Sequence, residues 1–82
     1  MHYTVYIIFS ISCKKFYTGH TQNFDNRLSE HNNGETKSIK SCIPWTLIWK
    51  TELPKRSQAI AFEKKIKSRG AARFLTDLDV KW

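Results

Sequence analysis

Apolar residues crowd the start of the chain in YTVYIIF, residues 3–9. A run rich in β-branched and aromatic side chains predicts a strand. Tyr3, Val5, Ile7 and Phe9 then point one way and Tyr6 and Ile8 the other, so both faces of the strand need cover. KFYTG, residues 15–19, predicts a second strand, and the short link from Ser10 to Lys14 favours an antiparallel hairpin. If Phe9 pairs with Lys14, Tyr6 lies opposite Tyr17, with two phenols on one side of the sheet. Residues 23–32 predict a helix. Phe24 and Leu28 form its narrow apolar stripe, Arg27 and His31 lie one turn apart beside that stripe, and Asn33-Gly34 closes it. A polar loop runs to Ile43. After Pro44 comes a third strand, WTLIWKTEL, residues 45–53, with Trp45, Leu47 and Trp49 alternating. Ser57 suits an N-cap and Gly70 a terminator for QAIAFEKKIKSR between them, whose apolar stripe is Ala59, Phe62 and Ile66. AARFLTDL, residues 71–78, adds a short third helix. The order β-β-α-β-α-α with three strands predicts a small α/β sandwich, one domain over residues 1–82.

Composition changes this picture in two ways. A chain of 82 residues buries about 60–65% of the surface its unfolded form exposes, so the eleven aromatic residues must supply much of the core. A net charge of +7, with pI near 9.7, points to a polyanionic partner, nucleic acid ahead of a membrane surface. Ordinary solubility charge is the plainer alternative. Cys13 and Cys42 stand far apart with no CxxC or Cys/His ladder, which argues against a zinc site. They leave a disulfide open, although one bridge would be a sparse framework for a secreted mini-protein. MHYTVYIIFS is too short to span a bilayer and lacks a charged start and a small-residue cleavage site. The expectation is a cytoplasmic protein.

Some residues sit badly in a plain core. Glu63 falls on the helical wheel between Ala59 and Phe62 on one side and Ile66 on the other. A carboxylate there costs several kcal/mol unless paired or metal-bound. It snorkels at the stripe's edge, or pairs with a nearby arginine, or ligates a hard cation such as Mg²⁺. On one reading Arg27 lies on a solvated helix face or pairs with an Asp or Glu, and His31 is a helix-dipole histidine. On the other they embrace a phosphate, the guanidinium fork matching its oxygens and the imidazole moving a proton near neutral pH. Tyr6 and Tyr17 are ordinary core tyrosines, or phenols whose pKa neighbouring cations lower. Gly19, with no Cβ, leaves room for backbone or substrate to come close.

Taken in order, Thr4-Val5-Tyr6, Tyr17-Thr18-Gly19, the helix with Arg27, Glu30-His31-Asn32, Pro44-Trp45 and the Ala59, Phe62-Glu63, Ile66-Lys67 helix run through nearly the whole chain. In this the sequence resembles the GIY-YIG nuclease domains, of the short stand-alone kind related to the N-terminal nuclease module of UvrC. The resemblance implies a three-stranded antiparallel sheet flanked by helices and divalent-metal-dependent hydrolysis of DNA phosphodiester bonds, with Mg²⁺ or Mn²⁺ as cofactor. It implies a structure-preferring or weakly specific endonuclease, serving DNA repair or recombination. By position, Glu63 matches the metal-binding glutamate and Arg27 the arginine that holds the scissile phosphate. Tyr6 and Tyr17 match the pair around the attacking water, His31 a variable polar site position, and His20 a position often basic. Thr4 replaces the first Gly and Thr18 the Ile of the second motif, and neither position supplies a reactive side chain. The late Asn of longer relatives has no clear counterpart; Arg73 and Thr76 lie in that region. Lys64, Lys65, Lys67 and Arg69, with Lys37, Lys40 and Lys55, would neutralise phosphates without reading sequence. The alternative is a nucleic-acid-binding module of the same fold with little catalysis.

Overall fold

The computed structural model describes residues 2–35 and 37–82, without the side chains at 37 and 38. The strands are β1 (Tyr3–Ser10), β2 (Lys15–Thr21) and β3 (Trp45–Leu53). The helices are α1 (Phe24–Asn32), α2 (Arg56–Arg69) and α3 (Ala71–Asp77), and a 3-10 turn covers Lys37–Cys42. The sheet runs β2-β1-β3, antiparallel on both sides of β1.

β1 lies in the middle because its two faces are both apolar. Tyr6 and Ile8 pack under α1 and the 3-10 turn with Phe24, Ile39, Cys42 and Trp45. Val5 and Ile7 pack under α2 and α3 with Ala59, Ile66 and Leu75. The sandwich therefore has helices on both faces of one thin sheet, in the expected element order.

Three local expectations change. The β1–β2 register places Phe9 opposite Phe16, so Tyr6 faces Gly19 and Ile8 faces Tyr17. This slip of two residues from the expected pairing keeps every side chain on its face, because the side-chain period of a strand is also two. Tyr6 and Tyr17 become diagonal neighbours with ring centroids 6.4 Å apart. β3 carries a bulge at Ile48, since Ile7 pairs with Trp49 and Ile8 with Leu47. One extra residue sends Trp49 to the face opposite Trp45 and Leu47. There it stacks on Phe62 at 6.0 Å and meets Phe74 edge-on at 5.1 Å. Finally, α2 starts at Arg56, with Lys55 as its N-cap and Ser57 already inside the helix.

α1 begins at Asn23, whose Oδ1 accepts from the Asn26 N–H at 3.1 Å. Gly70 ends α2 and starts α3 at φ 92°, a conformation that favours glycine. Arg69 on α2 donates two hydrogen bonds to Asp77 on α3, at 2.9 and 3.0 Å. Cys13 in the β1–β2 turn and Cys42 at the end of the 3-10 turn form a disulfide, and the Ile43–Pro44 bond is cis. Among the described residues no helix is long and apolar enough to cross a membrane.

Candidate active site

The site is built around β2, an edge strand with one free side. Its alternation sends Tyr17 and Gly19 toward α1 and Thr18 and His20 toward α2. Side chains from both helix layers therefore meet along one strand edge.

On the α1 side, Tyr6 lies over Gly19. A Cβ at Gly19 would stand 2.7 Å from Tyr6 Oη and 3.2 Å from Tyr17 Cε1. The backbone thus has to be glycine for the Tyr6 ring to lie where it does. Tyr6 Oη meets His31 Nε2 at 2.9 Å, in a hydrogen bond buried from solvent. His31 shows no exposed surface and Tyr6 is 1% exposed. Tyr17 sets its ring edge-on to His31 at 5.0 Å and stays partly exposed. The guanidinium of Arg27, one turn before His31 on α1, sits beside the Tyr6 hydroxyl and also reaches Glu30 at 3.3 Å.

Burial pushes the Tyr6 phenol up to about 12, and the nearby Tyr17 adds to the rise. Arg27 opposes it, and Glu63 lies near enough for its charge to raise the phenol further. Burial also holds His31 below the ordinary imidazole range, helped by the Arg27 charge and opposed by Glu30. At neutral pH the pair is therefore a neutral phenol bonded to a neutral imidazole.

On the α2 side, Glu63 Oε1 meets His20 Nδ1 at 2.7 Å and Oε2 meets Lys67 Nζ at 2.8 Å. Partial burial works to raise the carboxyl, but the hydrogen bonds from Lys67 and His20 outweigh it and hold the group below the usual carboxylate range. None of the open readings of Glu63 names these partners: they are a lysine and a histidine rather than an arginine. Among the described residues no group of three or more His, Cys, Asp or Glu side chains forms a metal cage. A part-buried, ionised single carboxylate suits a hard cation that otherwise takes phosphate oxygens and water. Glu63 would be its protein ligand.

Two shallow recesses flank this edge. One, about 590 Å³, is lined by Phe16, Tyr17, Thr18, Lys67, Arg69 and Arg73 among others. The other, about 450 Å³, is lined by Tyr3, His20, Arg27, Glu30 and Arg56 among others.

Of the residues expected in the site, Tyr6, Tyr17, Arg27 and His31 come together on the α1 face, while Glu63 pairs with His20 on the α2 face, near enough for its charge to act on the Tyr6 phenol. His20 points at Glu63, a partner of the acid ahead of any phosphate. Arg69 is engaged by Asp77 and Lys67 by Glu63. Lys40 and Lys64 are exposed, and the side chain of Lys37 lies outside the described residues. Arg73, in the region of the missing Asn, lines the larger recess, while Thr76 bonds back to the Ala72 carbonyl at 2.8 Å. The sequence reading missed a structural role for Asn32. Its amide accepts from the Trp45 N–H at 2.6 Å and donates to the Trp45 carbonyl at 3.1 Å, fixing the end of α1 to β3. A polar residue at the close of a helix, directly after a site histidine, was the available signal.

With this geometry in view, the comparisons settle the class. The family model of the GIY-YIG catalytic domain matches residues 2–74, and the chain belongs to that family. The function of the class is of nuclease type. Among solved structures, the solution NMR structure of the UPF0213 protein BH0048 from Bacillus halodurans aligns with a TM-score of 0.59 at 24% identity, covering 96% of this chain and 84% of that one. That likeness speaks for the fold. No curated protein matches the chain.

Proposed function

We propose that this protein is a divalent-metal-dependent endonuclease that hydrolyses DNA phosphodiester bonds, structure-preferring or weakly specific, in repair or recombination. The observation that carries the reading is the buried Tyr6–His31 hydrogen bond with Arg27 beside it, within electrostatic reach of Glu63.

Hydrolysis builds negative charge on a five-coordinate phosphorus. Arg27 presents a fixed positive fork to the phosphate oxygens from the rim of the smaller recess. An Mg²⁺ or Mn²⁺ ion at Glu63 would add Lewis-acid stabilisation of that charge. A phenol at about 12 is a poor base by itself at neutral pH. Tyr6, buried in the free protein, acts instead as a relay once the bound substrate seats a water against Oη: that water gives its proton to Oη while the phenolic proton passes to neutral His31 Nε2. Tyr17 flanks that water from the partly exposed side. Lys40, Lys64 and Arg73 hold the nucleic acid through its phosphates.

Supercoiled plasmid and a panel of duplex, nicked and branched DNA, incubated with Mg²⁺, test this. The wild type cuts and Glu63→Ala does not, while Glu63→Ala still binds DNA. Both oxygens of Glu63 are already engaged in the free protein, which favours a second reading: a DNA-binding module with little catalysis. That module would show DNA affinity but no metal-dependent cleavage to lose.

A further inference from the structure

The two partners of Glu63 differ in kind. His20 belongs to β2 and is positioned by the sheet. Lys67 lies on a flexible stem one helical turn from Glu63, and its side chain is 58% exposed. Lys67 also lines the recess beside Tyr17 that holds Arg69 and Arg73. It therefore stands between an oxygen that a cation needs and a groove suited to a phosphate.

We propose that Lys67 is a tethered cation guarding Glu63: its ammonium occupies Oε2 in the free protein, and phosphate oxygens entering the recess beside Tyr17 draw it away and open that oxygen to a divalent ion. The inference rests on the reading of Glu63 as a cation ligand. No bond is made or broken; one ammonium exchanges a carboxylate for a phosphate. Metal and nucleic acid then bind with positive coupling, each favouring the state the other needs. The free protein holds metal weakly and takes it up once DNA is seated.

The test is Mn²⁺ titration of the full chain without DNA, followed by electron paramagnetic resonance, on wild type, Lys67→Met, Lys64→Met and Glu63→Gln. Lys67→Met should bind Mn²⁺ about two- to five-fold more tightly, the scale of an exposed ion pair. Lys64→Met removes the same charge from the neighbouring position and should change affinity less. Glu63→Gln should lose the site. Lys67→Met no tighter than Lys64→Met overturns the guard while leaving Glu63 as a ligand. Glu63→Gln binding like wild type overturns the ligand reading and the guard with it. DNA affinity in chelator, read by fluorescence anisotropy, checks the other half. Lys67→Met should cost more affinity in the Glu63→Gln background, where no carboxylate restrains the ammonium. Equal costs in both backgrounds overturn the exchange. Circular dichroism on each variant reports folding, which the exposed position of Lys67 favours.

Discussion

Gly19 shapes the site through the side chain it lacks. A methyl group there would meet Tyr6 Oη at 2.7 Å and Cζ at 3.0 Å, and the ring is packed against Phe24 at 5.3 Å. Gly19→Ala should displace the phenol from His31, cost about 1–3 kcal/mol in urea denaturation and abolish cleavage. An active Gly19→Ala enzyme would show that the Tyr6–His31 bond is dispensable. Tyr6 gives a second prediction. Its phenol, at about 12, keeps its proton where an unfolded tyrosine near 10 has lost it. The stabilisation, on the order of 2–3 kcal/mol, is complete below pH 10 and drains away as pH rises toward 12. Tyr6→Phe should remove this alkaline fall from the pH profile of stability; the same fall in the variant would place its origin elsewhere. His31 gives a third. Cleavage needs its neutral form, and burial holds the imidazole below its ordinary range. The rate should fall on acidification with a midpoint under about 6.5, and His31→Gln should be slower by about 10²-fold or more. A flat acid limb would remove His31 from the proton path.

At the scale of elements, alternation in β1 was readable because each of its faces meets a different helix layer, and the pattern shows both. The third strand misled because a bulge leaves little mark in composition. Ile48 occupies the extra position, and Trp49, expected beside Trp45, packs instead with Phe62 and Phe74. The hairpin register was hidden for a related reason: a slip of two residues preserves every face, so hydrophobicity cannot tell the alternatives apart. Ser57 had the right chemistry for a cap, but the chain turns into the helix two residues earlier, after Pro54. Asn32 shows how elements hold the site. Its two bonds to Trp45 fix α1 against β3 directly after His31. Asn32→Ala leaves the Trp45 amide unpartnered, and a loss of about 1–3 kcal/mol is expected by thermal denaturation. A variant as stable as wild type would mean that packing alone holds α1.

For the whole molecule, the Cys13–Cys42 bridge closes a loop of 29 residues in sequence. Loop entropy puts its contribution at about 3–4 kcal/mol. Reduction with dithiothreitol should lower the midpoint of urea unfolding accordingly, and an unchanged midpoint would show that the bridge adds no stability. The sequence reading left this pairing open, since two cysteines at such separation carry no local signal; the fold brings the β1–β2 turn to the end of the 3-10 turn. Charge was visible at once, as +7 across 82 residues. Its arrangement was not. Two of the cations counted for a polyanion are engaged internally, Lys67 by Glu63 and Arg69 by Asp77.

The chain alone settled the order of the strands and α-helices and nominated residues for chemistry, because periodicity and motif order are local properties. It also singled out Tyr6, Tyr17, Arg27, His31 and Glu63 as candidates for chemistry, although Tyr6 belongs to the α1-side core as well. The helix itself supplies the i,i+4 pair of Lys67 with Glu63; folding added the distant partners, His31 on Tyr6 and His20 on Glu63. Those pairings depend on strand register, a bulge and two helix layers meeting at one open sheet edge. They are set by contacts between residues 25 and 43 positions apart, which no local pattern encodes.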